Sequence, residues 1–130
     1  MEEMSARSAL LLGWPAMEKL AQCHVAVFGV GGVGGHAAEA LARGGIGKIT
    51  LFDSDEVNVT NLNRQLVATR DVIGHKKVDV MAKRIESIRP QTQVKVNPVF
   101  YLPENACEYP LDEYDYIVDA IDTVSAKLEL

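Results

Sequence analysis

The sequence is short of several things, and each shortage closes a class of explanation. It has only two cysteines, Cys23 and Cys107, with no CxxC spacing between them, so neither a disulfide framework nor a zinc motif is supported. Two buried cytosolic thiols are the expectation instead. Positive charge is in deficit. The net charge is −5 and the pI about 5.1, so bulk electrostatics would not attract nucleic acid, although a local basic patch is compatible with it. Long apolar runs are missing too, and no window approaches a membrane span. The start, Met1-Glu-Glu-Met4, is acidic where a secretory signal would be basic, and residues 9–12 are too short an apolar run to serve as one. The chain is expected to be cytoplasmic. Internal repeats and low-complexity segments are also lacking. What remains is ordinary for a globular protein: 130 residues, 48% hydrophobic and 24% charged, enough for one modest domain with a real core.

The most informative stretch is His24-Val-Ala-Val-Phe-Gly-Val-Gly-Gly-Val-Gly-Gly35. A short apolar run predicts a buried strand, cut off by glycine. Gly29, Gly31 and Gly34 then satisfy G-x-G-x-x-G, and a helical pattern follows over residues 36–43. Each glycine has a physical task in a strand–turn–helix. The first permits the tight turn, the second lets a phosphate approach the backbone, and the third allows close helix packing. Free N–H groups and the positive dipole end of the helix would then face the anion. A bare G-x-G-x-x-G is a weak signal, but the strand before it and the helix after it supply the needed context.

The rest of the chain fits around that unit. Residues 1–23 are expected to form a helical leader, broken at Gly13, with Pro15 opening a second helix over residues 16–23. Residues 24–130 would form the nucleotide-binding domain. Gly44-Gly45 ends the crossover helix, and Lys48 to Asp53 is a second strand. Asp53 follows Gly29 by 24 residues, about where a Rossmann fold places the acid that accepts from both ribose hydroxyls. Capping the next turn is its other reading. Residues 54–65 form a polar, asparagine-rich loop where a dehydrogenase would start a helix. Asn61, Asn63, Arg64 and Gln65 suit phosphate oxygens or a reacting carboxylate, yet spacing alone does not separate that from a solvated loop.

Residues 71–89 contain an amphipathic helix that Pro90 stops. Its start carries Gly74-His-Lys-Lys77, an awkward place for cations unless an anion shares them with the helix dipole. His75 alone fits a surface or capping role better than a catalytic one. Residues 93–99 alternate as a half-buried strand, towards an edge because Pro98 cannot donate a ladder bond. A loop with a short helical stretch near residues 104–107 leads to a fourth strand over residues 116–122. That strand should lie beside the first, bringing Asp119 and Asp122 towards the phosphates, where Mg²⁺ would offset the repulsion. Asp122 could equally cap a helix beginning at Thr123. A sheet ending on its fourth strand would expose an apolar edge, so the chain is expected to be the first half of a longer protein.

Taken in order, Gly29-x-Gly31-Gly32-x-Gly34, Asp53-x-Asp55, Asn61-Leu-Asn-Arg64-Gln65, Gly74-x-x-Lys77 and Asp119-Ala-Ile-Asp122 resemble the ThiF/MoeB/HesA family, bacterial relatives of ubiquitin-activating enzymes. The Asn-x-x-Arg-Gln element is far more specific than the glycines. Arg7 with the run to Leu12-Gly13, residues 38–43 and Asp119-Ala-Ile-Asp122 look most like the tRNA threonylcarbamoyladenosine dehydratase branch.

The resemblance implies a Rossmann-like, doubly wound, mostly parallel sheet that binds ATP rather than NAD. It implies that Gly29, Gly31, Gly32 and Gly34 hold ATP, that Asp53 binds the ribose, and that Asp55 and Gln65 belong to the site. Asn61, Arg64 and Lys77 would contact phosphates, Asp122 would organise Mg²⁺, and Arg7 would reach into a neighbouring subunit of a homodimer. The implied reaction is attack by a carboxylate on the α-phosphate, giving an acyl adenylate. No general base is needed, so catalysis rests on positioning and charge neutralisation. The implied substrate is the threonylcarbamoyl group of tRNA, with activation of a sulfur carrier, or a sulfurtransferase partner, as the variant. An NAD-dependent oxidoreductase would leave Arg64, Lys77 and Asp122 unexplained. A fragment that only binds nucleotide is the remaining alternative.

Overall fold

β1 (His24–Phe28) is apolar at nearly every position because it is covered on both faces, and Val25, Ala26, Val27 and Phe28 are all buried. The structure is a computed structural model that describes residues 6–99 and 111–121. In chain order the further elements are α1 (Ala6–Leu12) and α2 (Trp14–Ala21) before β1, then α3 (Gly32–Gly44), β2 (Lys48–Phe52), α4 (Lys77–Ile88), β3 (Gln93–Asn97) and β4 (Tyr116–Asp119). Short 3₁₀ turns at Val59–Asn61 and Arg70–Val72 lie between β2 and α4. The described sheet is parallel throughout, in the order β3-β2-β1-β4.

Alternate residues of the strands build two apolar layers. Val25, Val27, Ile49 and Leu51 pack with Ala38 and Ala42 of α3 and with Val78, Met81 and Ile85 of α4. Alanines on α3 let that helix approach the sheet closely, and α4 supplies the bulk. Each fully buried Met or Ile contributes roughly 1.5–3 kcal/mol. On the other face, Ala26, Phe28 and Phe52 pack with Val99, Leu111, Tyr114 and Ile121. Both crossovers through α3 and α4 run in one direction from β1, whereas β4 joins on the opposite side. The strand order therefore reverses between β1 and β4, and in open α/β sheets a crevice forms at the carboxyl ends there. The register puts Phe28 level with Phe52 and Asp119, so the three strand ends meet at one rim.

Several boundaries differ from the sequence expectation, each for a local reason. The second leader helix runs Trp14–Ala21 rather than 16–23, because the chain must turn at Gln22 and Cys23 to enter β1. Its end is close to the sheet: a Cβ on Gly47 would lie 1.8 Å from the Ala21 carbonyl oxygen. Cys23 is half-buried, its thiol donating to the Lys19 carbonyl at 3.3 Å, and Cys107 lies outside the described residues. α3 begins at Gly32, within the glycine motif itself, rather than at His36. α4 begins only at Lys77, since Gly74 has φ +90° and separates it from the 3₁₀ turn. β3 sits at an edge of the described sheet and stops before Pro98, as that proline requires. β4 ends at Asp119 rather than 122. The Ala120 N–H still reaches the Phe28 carbonyl at 2.9 Å, but the Ile121 N–H turns back to Asp119 Oδ1 at 3.1 Å and ends the ladder. The expected helical stretches near 104–107 and from Thr123 lie outside the described residues.

Candidate functional site

The glycines divide into two that shape the backbone and two that leave room. Gly29 has φ +96°, and a Cβ there would sit 2.5 Å from the Ala120 carbonyl oxygen of the chain leaving β4. A Cβ on Gly34 would lie 1.6 Å from the Gly29 carbonyl oxygen. Strand, turn and helix therefore meet backbone to backbone. Gly31 and Gly32 are under no such pressure. A Cβ on Gly31 would meet only the Gln65 amide, with Nε2 at 3.4 Å, and one on Gly32 would meet nothing within 4 Å. Gly31 is the N-cap of α3 and no side chain caps that helix, so its first-turn N–H groups are presented at the rim.

Asp53, 8% exposed, ties this turn to β2. Its Oδ2 accepts the Val30 N–H at 2.7 Å and its Oδ1 the Asp55 N–H at 2.8 Å. Each oxygen has a second lone pair, so these bonds leave acceptor capacity for a hydroxyl.

The asparagine-rich segment is a clamped loop with a buried interior, not a solvated strap. Its neck is closed by Val57 N–H to the His75 carbonyl (2.8 Å), Gly74 N–H to the Val57 carbonyl (2.9 Å) and Lys77 N–H to the Asp55 carbonyl (3.0 Å). Val57, Val67 and Ala68 enter the main core. Asn58 and Asn61 form a capping box, in which Asn61 Oδ1 accepts the Asn58 N–H at 2.9 Å. Gln65 is carried by the same turn, its N–H bonded to the Asn61 carbonyl at 3.0 Å. The Gln65 side chain is buried, and its Oε1 has no hydrogen-bond partner. Arg64 is exposed, with Nη1 donating to the Thr60 carbonyl (3.0 Å) and Asn63 Oδ1 (3.1 Å).

Lys77 opens α4, and its side chain is only 7% exposed. Its Nζ lies 3.9 Å from Asp55 Oδ2, too long for a tight ion pair. Lys76 turns elsewhere, donating to the Ser54 carbonyl at 3.0 Å. A buried ammonium at an uncapped helix N-terminus concentrates positive potential, because helix dipole and side chain have the same sign there.

These parts enclose a cavity of about 450 Å³. Gly29, Gly31, Gly32, Asp53, Asp55, Arg64, Gln65 and Lys77 all line it, so most of the residues singled out in the sequence converge. The rest do not. Gly34 acts behind the wall, Asn61 is occupied in its capping box, and Arg7 is exposed on α1, away from the cavity lining of this chain. Asp122 lies outside the described residues. Sequence reasoning passed over the apolar wall of Phe28, Phe52, Val99, Ala120 and Ile121. Phe28 and Phe52 stack with ring centroids 4.3 Å apart and planes within 8°. Their signal was available, since both are the last residues of adjacent parallel strands. Among the described residues, no group of three His, Cys, Asp or Glu could hold a metal ion, and no helix is long and apolar enough to cross a membrane.

The model of the ThiF family matches residues 5–130. The chain belongs to the ThiF family. Within it, the chain is 50% identical over 123 residues to a tRNA threonylcarbamoyladenosine dehydratase of Escherichia coli, covering 95% of this chain and 46% of that protein. A sulfur carrier protein adenylyltransferase of Thermus thermophilus is 36% identical over 116 residues, 89% of this chain and 42% of the relative. Among solved structures, the E. coli dehydratase in complex with ATP superposes with a TM-score of 0.95 at 48% identity, covering 98% of this chain and 53% of that one. The chain thus spans about half the length of each of these three proteins.

Proposed function

We propose that the chain is the nucleotide-binding part of an ATP-dependent adenylating enzyme that acts on threonylcarbamoyladenosine in tRNA. The observation that carries this reading is the convergence of the open glycine floor, the buried Lys77 ammonium and the Arg64 guanidinium on one cavity with an apolar wall. A nucleoside polyphosphate fits that lining: the floor at Gly31 and Gly32 is free of Cβ atoms where an anion would approach, and two helix N-termini face it. The identity to dehydratases and the likeness to an ATP complex favour ATP over NAD.

In this reading Asp53 accepts from the ribose while continuing to hold the glycine turn. Lys77 and Arg64 draw charge from the phosphates. Gly31, Gly32 and the first turn of α3 supply backbone N–H groups, and Asn61 acts through the loop that it caps. Asp55 keeps Lys77 oriented. A carboxylate needs no activation by a base. The chain's contribution is to fix the α-phosphate in line and to stabilise charge that grows on the bridging oxygen as pyrophosphate departs. Mg²⁺ would neutralise the phosphate chain. Such an ion is commonly held by one or two carboxylates plus phosphates, so it does not require a three-residue cluster, and Asp122 is its candidate ligand. A homodimer, with Arg7 serving the neighbouring site, and a cytoplasmic location complete the reading.

The second reading, adenylation of a sulfur-carrier protein, is supported by the Thermus relative. ATP–pyrophosphate exchange by the full-length protein separates the two. Exchange should be stimulated by tRNA carrying the threonylcarbamoyl group and not by tRNA lacking it. Stimulation by a carrier protein alone would replace the first reading with the second, and no exchange with either would leave only nucleotide binding.

A further inference from the structure

α3 and α4 pack side by side, and both begin at the rim of the cavity, where the first residue of each, Gly32 and Lys77, lines it. Seven residues further along stand Glu39 on α3 and Arg84 on α4. Seven residues are close to two helical turns, so each lies almost directly below the site residue of its own helix, about 10.5 Å down the axis. There the two helices are joined. Arg84 Nε donates to Glu39 Oε1, and Arg43 Nε, one turn along α3, lies 3.8 Å from Glu39 Oε2. Among the described residues, no other hydrogen bond or ion pair links α3 to α4.

The apolar contact between these helices is permissive. Gly35 has no side chain, and a Cβ there would be 3.6 Å from the Met81 methyl carbon, the end of an unbranched chain that fills gaps without fixing a spacing. The ion pair is directional instead. It adds little to stability, because the Arg84 side chain is 39% exposed and solvent screens such pairs.

We propose that Glu39 and Arg84 are positioning residues: their clasp sets the spacing between the first turns of α3 and α4, and through it the distance from the glycine floor to Lys77. This deepens the adenylation reading above and rests on it.

Arg84→Met in the full-length enzyme keeps the apolar stem and removes the guanidinium. Pyrophosphate release at saturating ATP and tRNA should fall about 10-fold, since the transition state tolerates misplacement less than bound ATP does. KM for ATP should change by less than about 3-fold, and Tm by less than about 4 °C. Sites about 10 Å apart with no shared partner ordinarily act additively. A clasp that acts through Lys77 breaks that rule: added to Lys77→Ala, Arg84→Met should cost less than about 2-fold. A loss of equal size in both backgrounds, or one that follows a collapse in Tm, makes the pair an ordinary fold contact and overturns the proposal. So does no loss in either. A measurement without nucleotide stands apart from the adenylation reading. Spin labels at Val33→Cys and Asp79→Cys, exposed positions in the two first turns, report the spacing once Cys23→Ser and Cys107→Ser remove the native thiols. The distance distribution should widen in Arg84→Met, and an unchanged width refutes the clasp. Widening in an enzyme that releases no pyrophosphate would uphold the clasp while removing the adenylation reading.

Discussion

Replacing Gly34 and Gly32 by alanine, one at a time, should separate the glycine that builds the turn from a glycine that leaves it open. Both lie in α3, where alanine is intrinsically better than glycine by about 1 kcal/mol in the helix interior and by less at its first residue. On propensity alone both variants would be stabilised. The structure predicts opposite signs. At position 34 the new methyl would lie 1.6 Å from the Gly29 carbonyl oxygen and 2.7 Å from its carbon. Ordinary contact requires more than 3 Å, so the carbonyl must move by more than an ångström. That carbonyl belongs to the residue whose own position is fixed by β4, with no flexible side chain available to give way. Overpacking of this kind costs about 1–3 kcal/mol or more. Taking the upper end and subtracting the helix gain leaves a loss of about 2 kcal/mol, or roughly 8 °C in Tm for a domain of this size. At position 32 the methyl meets nothing within 4 Å, so Gly32→Ala should raise Tm by about 2 °C while narrowing the floor and weakening ATP binding. Thermal melts followed by calorimetric ATP titration read both effects. If Gly34→Ala melts with the wild type, the steric reasoning for the turn fails. If Gly32→Ala binds ATP unchanged, the open floor is not where the phosphates lie.

Three further outcomes follow from the same coordinates. Arg64→Ala in the full-length enzyme should lower pyrophosphate release at saturating ATP by about 10²-fold with a much smaller effect on ATP affinity, and Arg64→Lys should recover little because a point charge lacks the planar fork. Weak binding with normal turnover once saturated would limit Arg64 to holding the nucleotide. Asp122→Asn should weaken the Mg²⁺-dependent part of ATP binding and spare the rest; equal titrations of variant and wild type with and without Mg²⁺ would remove Asp122 from metal binding. At the opposite end of the sheet, His24 has its pKa lowered by burial first and by Lys48 next, against the pull of Glu113 and Asp115, and its Nε2 lies 2.6 Å from Thr50 Oγ1. The folded chain therefore prefers neutral imidazole while the unfolded chain takes up a proton near its ordinary value of 6.5. The stabilisation is present above that pH and drains away as pH falls through it. The urea midpoint should drop between pH 7.5 and 5.5, less steeply in His24→Gln, and identical slopes would remove His24 from the explanation.

Much of the site was legible because strand ends and helix starts are marked by residue type. Parallel strands buried on both faces must be apolar throughout, so β1 and its abrupt glycine stop could be seen without coordinates, and the position of Asp53 followed from the length of one crossover. Cations at the start of a helix contradict the local dipole, and Lys77 is indeed the buried one of the pair. Less legible was the loop before it. Composition described residues 54–65 as polar, and most of the polar side chains are exposed, but Asn61 and Gln65 are buried, Asn58 and Asn61 satisfy backbone groups, and Val57 with the following Val67 and Ala68 anchors the loop in the core. A capping box and a solvated loop draw on the same residues, and only the closure of the neck by residues 74–77 distinguishes them.

The two aromatic strand ends show a different limit. Phe28 and Phe52 read as core, and they are core, nearly fully buried and stacked on each other. They become part of the cavity because the strand order reverses beside them and, among the described residues, no helix covers that rim. That both rings are buried could be read from their apolar strands, whereas their access to a ligand is set by topology. The glycine motif is the point at which the two meet. Gly29 and Gly34 are demanded by contacts within the chain, and the turn could not close without them. Gly31 and Gly32 have no such demand, and the fold would accept a methyl at either with little movement. Glycines that the chain itself does not require, placed beside glycines that it does, separate a binding surface from a mere turn.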